Sequence, residues 1–284
     1  MNPNADPLLK PEAAFDHAAA SYDAAFTDTH LGRLLREAVW ARLAQQFQPG
    51  MHILELNCGT GEDAIWLARR GLRVTATDNS PGMLAVARGK AGRAGVDDRI
   101  EFRRLDLGEI GEWRFEVEGE RREREDGPAG FDGVLSNFGG LNCLADRRPL
   151  AERLARWVRP AGRLVLVVMG PLCPWEIAWH LAHGEVHTAL RRWRPGAEGH
   201  VGDGATVRVW YPSPCRLQAE FAPWFRPLAV VGVGVLLPPS SLGPLVERWP
   251  RIFERLARVE RRLAGHFPAT VLNDHSLVEL EREG

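Results

Sequence analysis

Residues 53–63 read ILELNCGTGED, an apolar run that takes in Glu55 and then breaks into Asn57-Cys58-Gly59-Thr60-Gly61 ahead of a helix-like segment. A strand that hands over to a helix through glycines lets the backbone approach a ligand closely, and the unpaired N–H groups of the helix start face that ligand. Outward from this turn, MHILEL reads as a short buried strand and EDAIWLARRG as a helix closed by Gly71. LRVTATD is a second strand ending at Asp78, and Ser80-Pro81 opens the helix MLAVARGKA with a side-chain acceptor and a preset φ. RIEFRRLDL and FDGVLSN are the third and fourth strands, DRRPLAERLARWV a helix and GRLVLVVMG the fifth strand. This alternation predicts an α/β fold: a Rossmann-like, doubly wound, mostly parallel sheet with helices on both faces.

The flanks add to a single domain spanning 1–284. Residues 1–50 read as an N-terminal helical segment, with FDHAAASYD its first patterned piece. Residues 171–204 carry three tryptophans and four histidines, with no strand expected. ATVRVWYPS is a strand ending in a helix cap, CRLQAEFAPW a helix, FRPLAVVGVGVLL a strand and HSLVELERE the closing strand. Between the last two, Leu245, Trp249, Ile252, Leu256, Val259 and Leu263 form the apolar stripe of an amphipathic helix. The charged stretch EVEGERREREDGPAG, 116–130, mixes six acids with three arginines ahead of a Gly/Pro-rich end and reads as a solvated loop.

Composition narrows the partners. Lys plus Arg number 36 against 37 Asp plus Glu, for a net charge of -1, which gives no electrostatic footprint for wrapping nucleic acid or coating an anionic membrane. No run is long and apolar enough to span a bilayer, and MNPNADPLLKPEAAFDH lacks the core of a signal peptide, so a cytoplasmic protein is expected. The four cysteines, Cys58, Cys143, Cys173 and Cys215, form no C-x-x-C pair, and neither a disulfide framework nor a metal site is indicated. A small-molecule partner is favoured; oligomeric state is not readable.

Two chemistries place a glycine turn after a first strand and an acid at the end of the second. A dinucleotide site wants a third glycine, where this chain has Ala64, and an acid such as Glu55 beside a pyrophosphate would repel it. Beside a ligand bearing a positively charged amino group, Glu55 would help. At this point the sequence resembles the class I S-adenosylmethionine-dependent methyltransferases, whose first motif is acid-x-Gly-x-Gly-x-Gly. Glu55, Gly59 and Gly61 match it, and Asn57 stands at the first glycine, a residue type that tolerates positive φ. The resemblance continues in order over residues 15–170. It implies that Asp78 binds the ribose, that Asn79 and Met83 flank the adenine, and that Asp106-Leu107 meet the adenine amino group. It also places SNFGG, with Asn137, on the catalytic face. Tyr22-Asp23 resembles the N-terminal motif of the ubiquinone/menaquinone-type branch, which implies that Tyr22 reaches the cofactor's carboxylate. The implied cofactor is S-adenosyl-L-methionine, and the implied last strand is antiparallel.

Methyl transfer is an in-line displacement in which placement supplies most of the acceleration, although an oxygen or nitrogen acceptor gains from a base of near-neutral pKa. Ligands of such sheets bind beyond the carboxyl ends of the parallel strands, so the inserts 171–204 and 237–274 are expected as caps over the active site. The candidates they supply, with neighbours, are Trp175, Glu176, Trp179, His180, Tyr211, Asp274 and His275. His275 and His180 are the candidate catalytic bases, His275 foremost because it begins the closing strand; Asp274 and His275 are expected on opposite faces. SNFGG lacks the prolines of the amino-methylating enzymes that act on DNA bases, which disfavours nucleic acid as substrate. Transfer of a methyl group to the O, N or C of a small organic acceptor is the expected activity. A nicotinamide-dependent oxidoreductase, or a non-catalytic cofactor-binding sensor or scaffold, are the rival readings.

Overall fold

The computed structural model describes residues 8–110, 130–202 and 205–284. In chain order, α1 (Pro11–Ala18), a π-turn (Asp23–Thr27) and α2 (His30–Gln46) lead into the alternating part. That part comprises β1 (His52–Leu56), α3 (Glu62–Arg69), β2 (Arg73–Asp78), α4 (Pro81–Ala94), β3 (Ile100–Arg104), β4 (Phe131–Ser136), α5 (Arg148–Trp157) and β5 (Val158–Met169). There follow α6 (Pro174–Ala182), α7 (Val186–Ala189), β6 (Ala197–His200), β7 (Thr206–Val209) and α8 (Pro214–Phe221). β8 (Phe225–Val233), α9 (Gly243–Arg248), α10 (Pro250–Leu263) and β9 (His275–Arg282) complete the chain. The charged stretch 116–130 lies, but for Gly130, outside the described residues.

The helix starts obey their local chemistry. Thr29, Ser80 and Ser213 each accept a backbone N–H three residues on, opening α2, α4 and α8, and Pro81 and Pro214 take the first helical position. Seven strands form the main sheet in the order β3-β2-β1-β4-β5-β9-β8. β1 to β5 pair in parallel, and β9 runs antiparallel between β5 and β8. Strand order reverses between β1 and β4, which opens a crevice at their carboxyl ends. Leu164 to Val168 of β5 are wholly buried, as a strand covered on both faces must be. Alternate residues feed two cores: Ile53, Val74, Leu135 and Val165 pack on Leu35 and Val39 of α2 and Phe47 just beyond it, while Leu54, Val134, Leu166 and Val278 pack on Leu150, Leu154 and Phe221. Burying each such side chain contributes ~1.5–3 kcal/mol.

Two sequence expectations are corrected. The segment 171–204 does contain a strand, β6, which pairs with β7 in a separate two-stranded sheet. The ATVRV strand therefore does not join the main sheet; its hairpin backs α1 through Ala14, Val207 and Val209, and Leu9 N–H donates to the Thr206 carbonyl at 2.8 Å. The amphipathic segment breaks at Pro250, and the arc expected to be buried is turned outward. Phe253, Ala257 and the carboxylate of Glu260 face the protein, whereas Trp249, Ile252, Val259 and Leu263 are exposed.

Candidate cofactor site

The turn after β1 is built by left-handed residues. Asn57, Gly59 and Gly61 have φ of 48°, 53° and 79°. Gly61 is needed twice over, since a Cβ there would also stand 2.8 Å from the Ala87 side chain of α4. At Gly59 a Cβ would meet nothing within 4 Å, so its missing side chain leaves open space on the ligand side. Asp78, at the end of β2, accepts the Gly59 N–H at Oδ2 and the Ser80 N–H at Oδ1, both at 2.9 Å. Burial raises the Asp78 carboxyl above its usual range, opposed by those N–H groups. Each oxygen keeps a lone pair for a further donor.

These groups line a cavity of about 820 Å³ at the switch point, within the range of small-molecule sites. Tyr22, Asn57, Gly59, Asp78, Asn79, Met83, Asp106, Leu107 and Asn137 all line it. Asn79 Nδ2 donates to Asp106 Oδ2 at 2.8 Å, and Asp106 Oδ1 accepts the Gly108 N–H, so the two side chains form one rigid wall. Two candidates stand behind the lining. Gly61 packs on α4, and Glu55 is buried with Oε2 lacking a hydrogen-bond partner. Burial, aided by the nearby Asp63 and Asp78 carboxylates, pushes the Glu55 carboxyl well above its usual range.

The histidines lie elsewhere. His180 sits on α6, its Nδ1 2.5 Å from Glu185 Oε2, and does not line the cavity. His275 is buried one ring behind it, its edge packed on Phe138 with ring centroids 5.3 Å apart; Phe138 does line the cavity. Asp274 precedes β9 and so escapes the alternation of the strand: its Oδ2 lies 3.1 Å from His275 Nδ1, on the same side. Arg192 Nη2 donates to Asp274 Oδ1 at 2.6 Å, and burial of Asp274 is outweighed by His275 and Arg192, which hold its carboxyl below the usual range. Glu176 is likewise committed, to Arg191 and Arg192. Trp175 tilts against Phe253 of α10, Trp179 lies against His183, and Arg192 stands over the Tyr211 ring. Among the described residues, neither 171–204 nor 237–274 contributes to the lining; these inserts pack on each other and on the sheet edge.

The cover comes from the N-terminus instead. Lys10, Pro11, Glu12 and Phe15 of the α1 region line the cavity. Asp16 Oδ1 accepts from Ser80 Oγ at 2.9 Å and Gly82 N–H at 2.6 Å, pinning α1 to the start of α4. Asp23 takes hydrogen bonds from Thr60 Oγ1 at 2.6 Å and Lys90 at 2.7 Å, pinning the π-turn to the glycine turn. Burial would raise the Asp23 carboxyl, but these donors lower it overall. Sequence reasoning missed Arg36, the buried cation of the lining. Its Nη1 donates to Asp63 Oδ2 at 2.6 Å, Trp40 holds Asp63 Oδ1 at 2.7 Å, and Asn137 Nδ2 donates to Asp63 Oδ2 at 2.9 Å. Arg36 Nε has no hydrogen-bond partner, and the Phe138 ring lies 5.2 Å from the guanidinium carbon. An acid in the first turn of α3 and an arginine on an apolar helix were the available signals, and neither is specific.

A carboxylate with free lone pairs, a glycine cradle and a buried guanidinium whose Nε is left without an acceptor fit a ligand that joins hydroxyls to a carboxylate. The comparisons agree. Residues 53–162 match a family profile described as a methyltransferase domain. The demethylmenaquinone methyltransferase of Clavibacter sepedonicus is 34% identical over 156 residues, 54% of this chain and 56% of that one. Among solved structures, the DhpI complex with S-adenosylhomocysteine has a TM-score of 0.55 at 18% identity, covering 96% of both chains. The S-adenosylmethionine-dependent methyltransferase of Mesorhizobium loti has a TM-score of 0.52 at 19% identity, covering 86% of this chain and 98% of that one. Residues 53–162 thus match a methyltransferase domain, and the sheet shares the Rossmann-like fold of these neighbours. The chain spans about half the length of the curated relatives it matches.

Proposed function

We propose that this protein is an enzyme that moves the methyl group of S-adenosyl-L-methionine to a small organic acceptor. The observation that carries the reading is Asp78, whose carboxylate faces an open glycine cradle at the switch point with a lone pair free on each oxygen. When bound, the cofactor supplies a methyl group on a positively charged sulfur. The chain's part is placement. Asp78 takes the ribose hydroxyls, and Asn79, Met83, Asp106 and Leu107 hold the adenine. Asn57 and Asn137 shape the turn, Gly59 and Gly61 let it approach, and Tyr22 with Arg36 receives the carboxylate. A positive charge in front of the turn would draw the Glu55 carboxyl, raised by burial, toward its ionised form. Holding reactants in near-attack geometry is worth ~7–11 kcal/mol, so no protein nucleophile is required.

The name of the Clavibacter relative points to a quinone-type acceptor, and the rings of Phe15 and Phe138 give the cavity an aromatic side suited to one. A cytoplasmic site of action belongs to the same reading; no helix among the described residues is long and apolar enough to cross a membrane. Of the two histidine candidates, His275 is retained as a positioning residue that acts through Phe138. His180 is set aside because its ring is engaged by Glu185 away from the cavity. His275→Gln should leave cofactor affinity intact and alter the pH profile of turnover; an unchanged profile ends its role. The whole reading is tested by calorimetry with S-adenosylhomocysteine against NAD(P), followed by methyl transfer to a panel of quinols, phenols and amines. Binding of NAD(P) alone overturns it in favour of an oxidoreductase, and cofactor binding without turnover favours a sensor.

A further inference from the structure

The outward face of α10 carries an apolar stripe that touches the core through Leu256 and is otherwise about half exposed. Trp249, Ile252, Leu256, Val259 and Leu263 recur at steps of three and four; all but Leu256 are 47–51% exposed, and Phe267 just beyond is 83% exposed. Along one side of the stripe Arg251, Arg255, Arg258 and Arg262 make an exposed row, with Arg248 and Arg261 near it. Against these six arginines the segment sets three acids, of which Glu247 and Glu260 are hydrogen-bonded to the body of the protein and Glu254 is exposed. Glu247 Oε1 accepts the His30 N–H at 2.6 Å, Glu254 lies 3.5 Å from His30 Nε2, and Glu260 is buried on the N–H groups of Gly234 and Leu236. The whole-chain charge of -1 thus averages away a local concentration of positive charge beside exposed Trp, Ile and Phe.

We infer that α10 is an interfacial helix that docks the protein on an anionic lipid surface, with the stripe at the acyl boundary and the arginines on lipid phosphates. The combination of features selects this partner. An amphipathic helix whose polar face is basic and whose other face carries Trp, Phe and Leu partitions into the headgroup region, and each arginine near an anionic surface adds to the attraction. Nucleic acid would use the arginines but leave the stripe in water. A second copy seated on the stripe meets a different obstacle. One flank of the stripe is occupied by the buried face, so the arginine flanks of the two copies would lie side by side and repel.

The test uses the full chain and does not depend on the methyltransferase reading. Sedimentation with vesicles of phosphatidylcholine, with and without phosphatidylglycerol, should show binding at least ~tenfold tighter to the anionic vesicles and reversed by salt. Ile252→Ser with Val259→Ser and Leu263→Ser should weaken that binding by ~tenfold or more, since three buried apolar contacts are lost. Arg251→Gln with Arg255→Gln and Arg258→Gln should weaken it and flatten its salt dependence. All six positions are exposed, and an unchanged Tm checks that both variants fold. Three results overturn the inference: no preference for anionic vesicles, binding that survives the serine substitutions, or a lipid-free dimer that those substitutions dissolve.

Discussion

Asn57 fills the space that a side chain at position 140 would need: a Cβ built on Gly140 would stand 2.1 Å from the Asn57 side-chain amide carbon. Asn57 Oδ1 accepts from Ser136 Oγ at 3.0 Å and its Nδ2 donates to the Asn137 carbonyl at 3.2 Å, so the side chain cannot swing away freely. An asparagine where the methyltransferase motif has glycine is thereby matched by a glycine on the facing loop.

The pair should behave as a unit. Gly140→Ala is expected to destabilise by ~1–3 kcal/mol through overpacking and to weaken S-adenosylhomocysteine binding. Asn57→Gly with Gly140→Ala should recover part of that loss, giving a coupling energy of ~0.5–3 kcal/mol in urea unfolding. Strict additivity would show that the two residues do not contact.

Asp78→Ala should cut cofactor affinity while the fold survives. The carboxylate can accept two ribose hydroxyls, and hydrogen bonds to a charged group contribute ~1.5–3 kcal/mol each. Because burial raises the Asp78 pKa and hydroxyl donors favour its ionised form, wild-type affinity should fall as pH drops through that raised value. Calorimetry across pH reads both effects, and an affinity unchanged in Asp78→Ala would remove Asp78 from the site.

Glu55 is a buried acid with an unpartnered oxygen, so Glu55→Gln should stabilise the cofactor-free protein at neutral pH and weaken cofactor binding. A carboxyl raised in the folded state contributes stability below its unfolded value, near 4.5, and loses it as pH rises through the folded value. The Tm advantage of Glu55→Gln should therefore grow from pH 5 upward. A constant difference across pH would mean that Glu55 does not titrate in this way.

How much was legible follows the range of the interactions. β1 to β5 could be read because their signals are local: buried runs bounded by glycine, Asp78 at a strand end, Ser80-Pro81 at a helix start. The cover was not, because Asp16 meets Ser80 across 64 residues and Arg36 meets Asp63 across 27, with no pattern joining them. α10 shows a different limit. Periodicity reveals that a helix has an apolar arc, but the arc that turns inward is set by its neighbours: Phe253 and Ala257 join the core with Leu35 and Val39 of α2, and Glu260 accepts the Gly234 and Leu236 N–H groups after β8. His275 was placed near the site by topology, yet Phe138 comes between.

Arg36 offers the sharpest test of the ligand's orientation. Its guanidinium is buried, lines the cavity, and is fixed through Nη1 by Asp63, itself held by Trp40 and Asn137. Burial works against the charge, and Asp63 more than restores it, so Arg36 stays cationic. Its Nε is left without a partner, and a buried unsatisfied donor costs ~1–3 kcal/mol until something accepts from it. A cofactor carboxylate reaching this end of the cavity would supply that acceptor. Arg36→Met should then weaken S-adenosylhomocysteine by ~tenfold or more, because a charge-assisted bond contributes ~1.5–3 kcal/mol. Arg36→Lys should recover only part, since an ammonium cannot reproduce the fixed fork. 5′-Methylthioadenosine keeps the nucleoside and sulfur but lacks the carboxylate, so its affinity should change little in either variant. Losing Arg36 also leaves Asp63 buried without its cation, which lowers stability; the ratio of the two ligand affinities, measured on folded protein below Tm, separates that effect from recognition. An equal loss for both ligands would assign Arg36 to holding the loops together and leave the carboxylate to Tyr22.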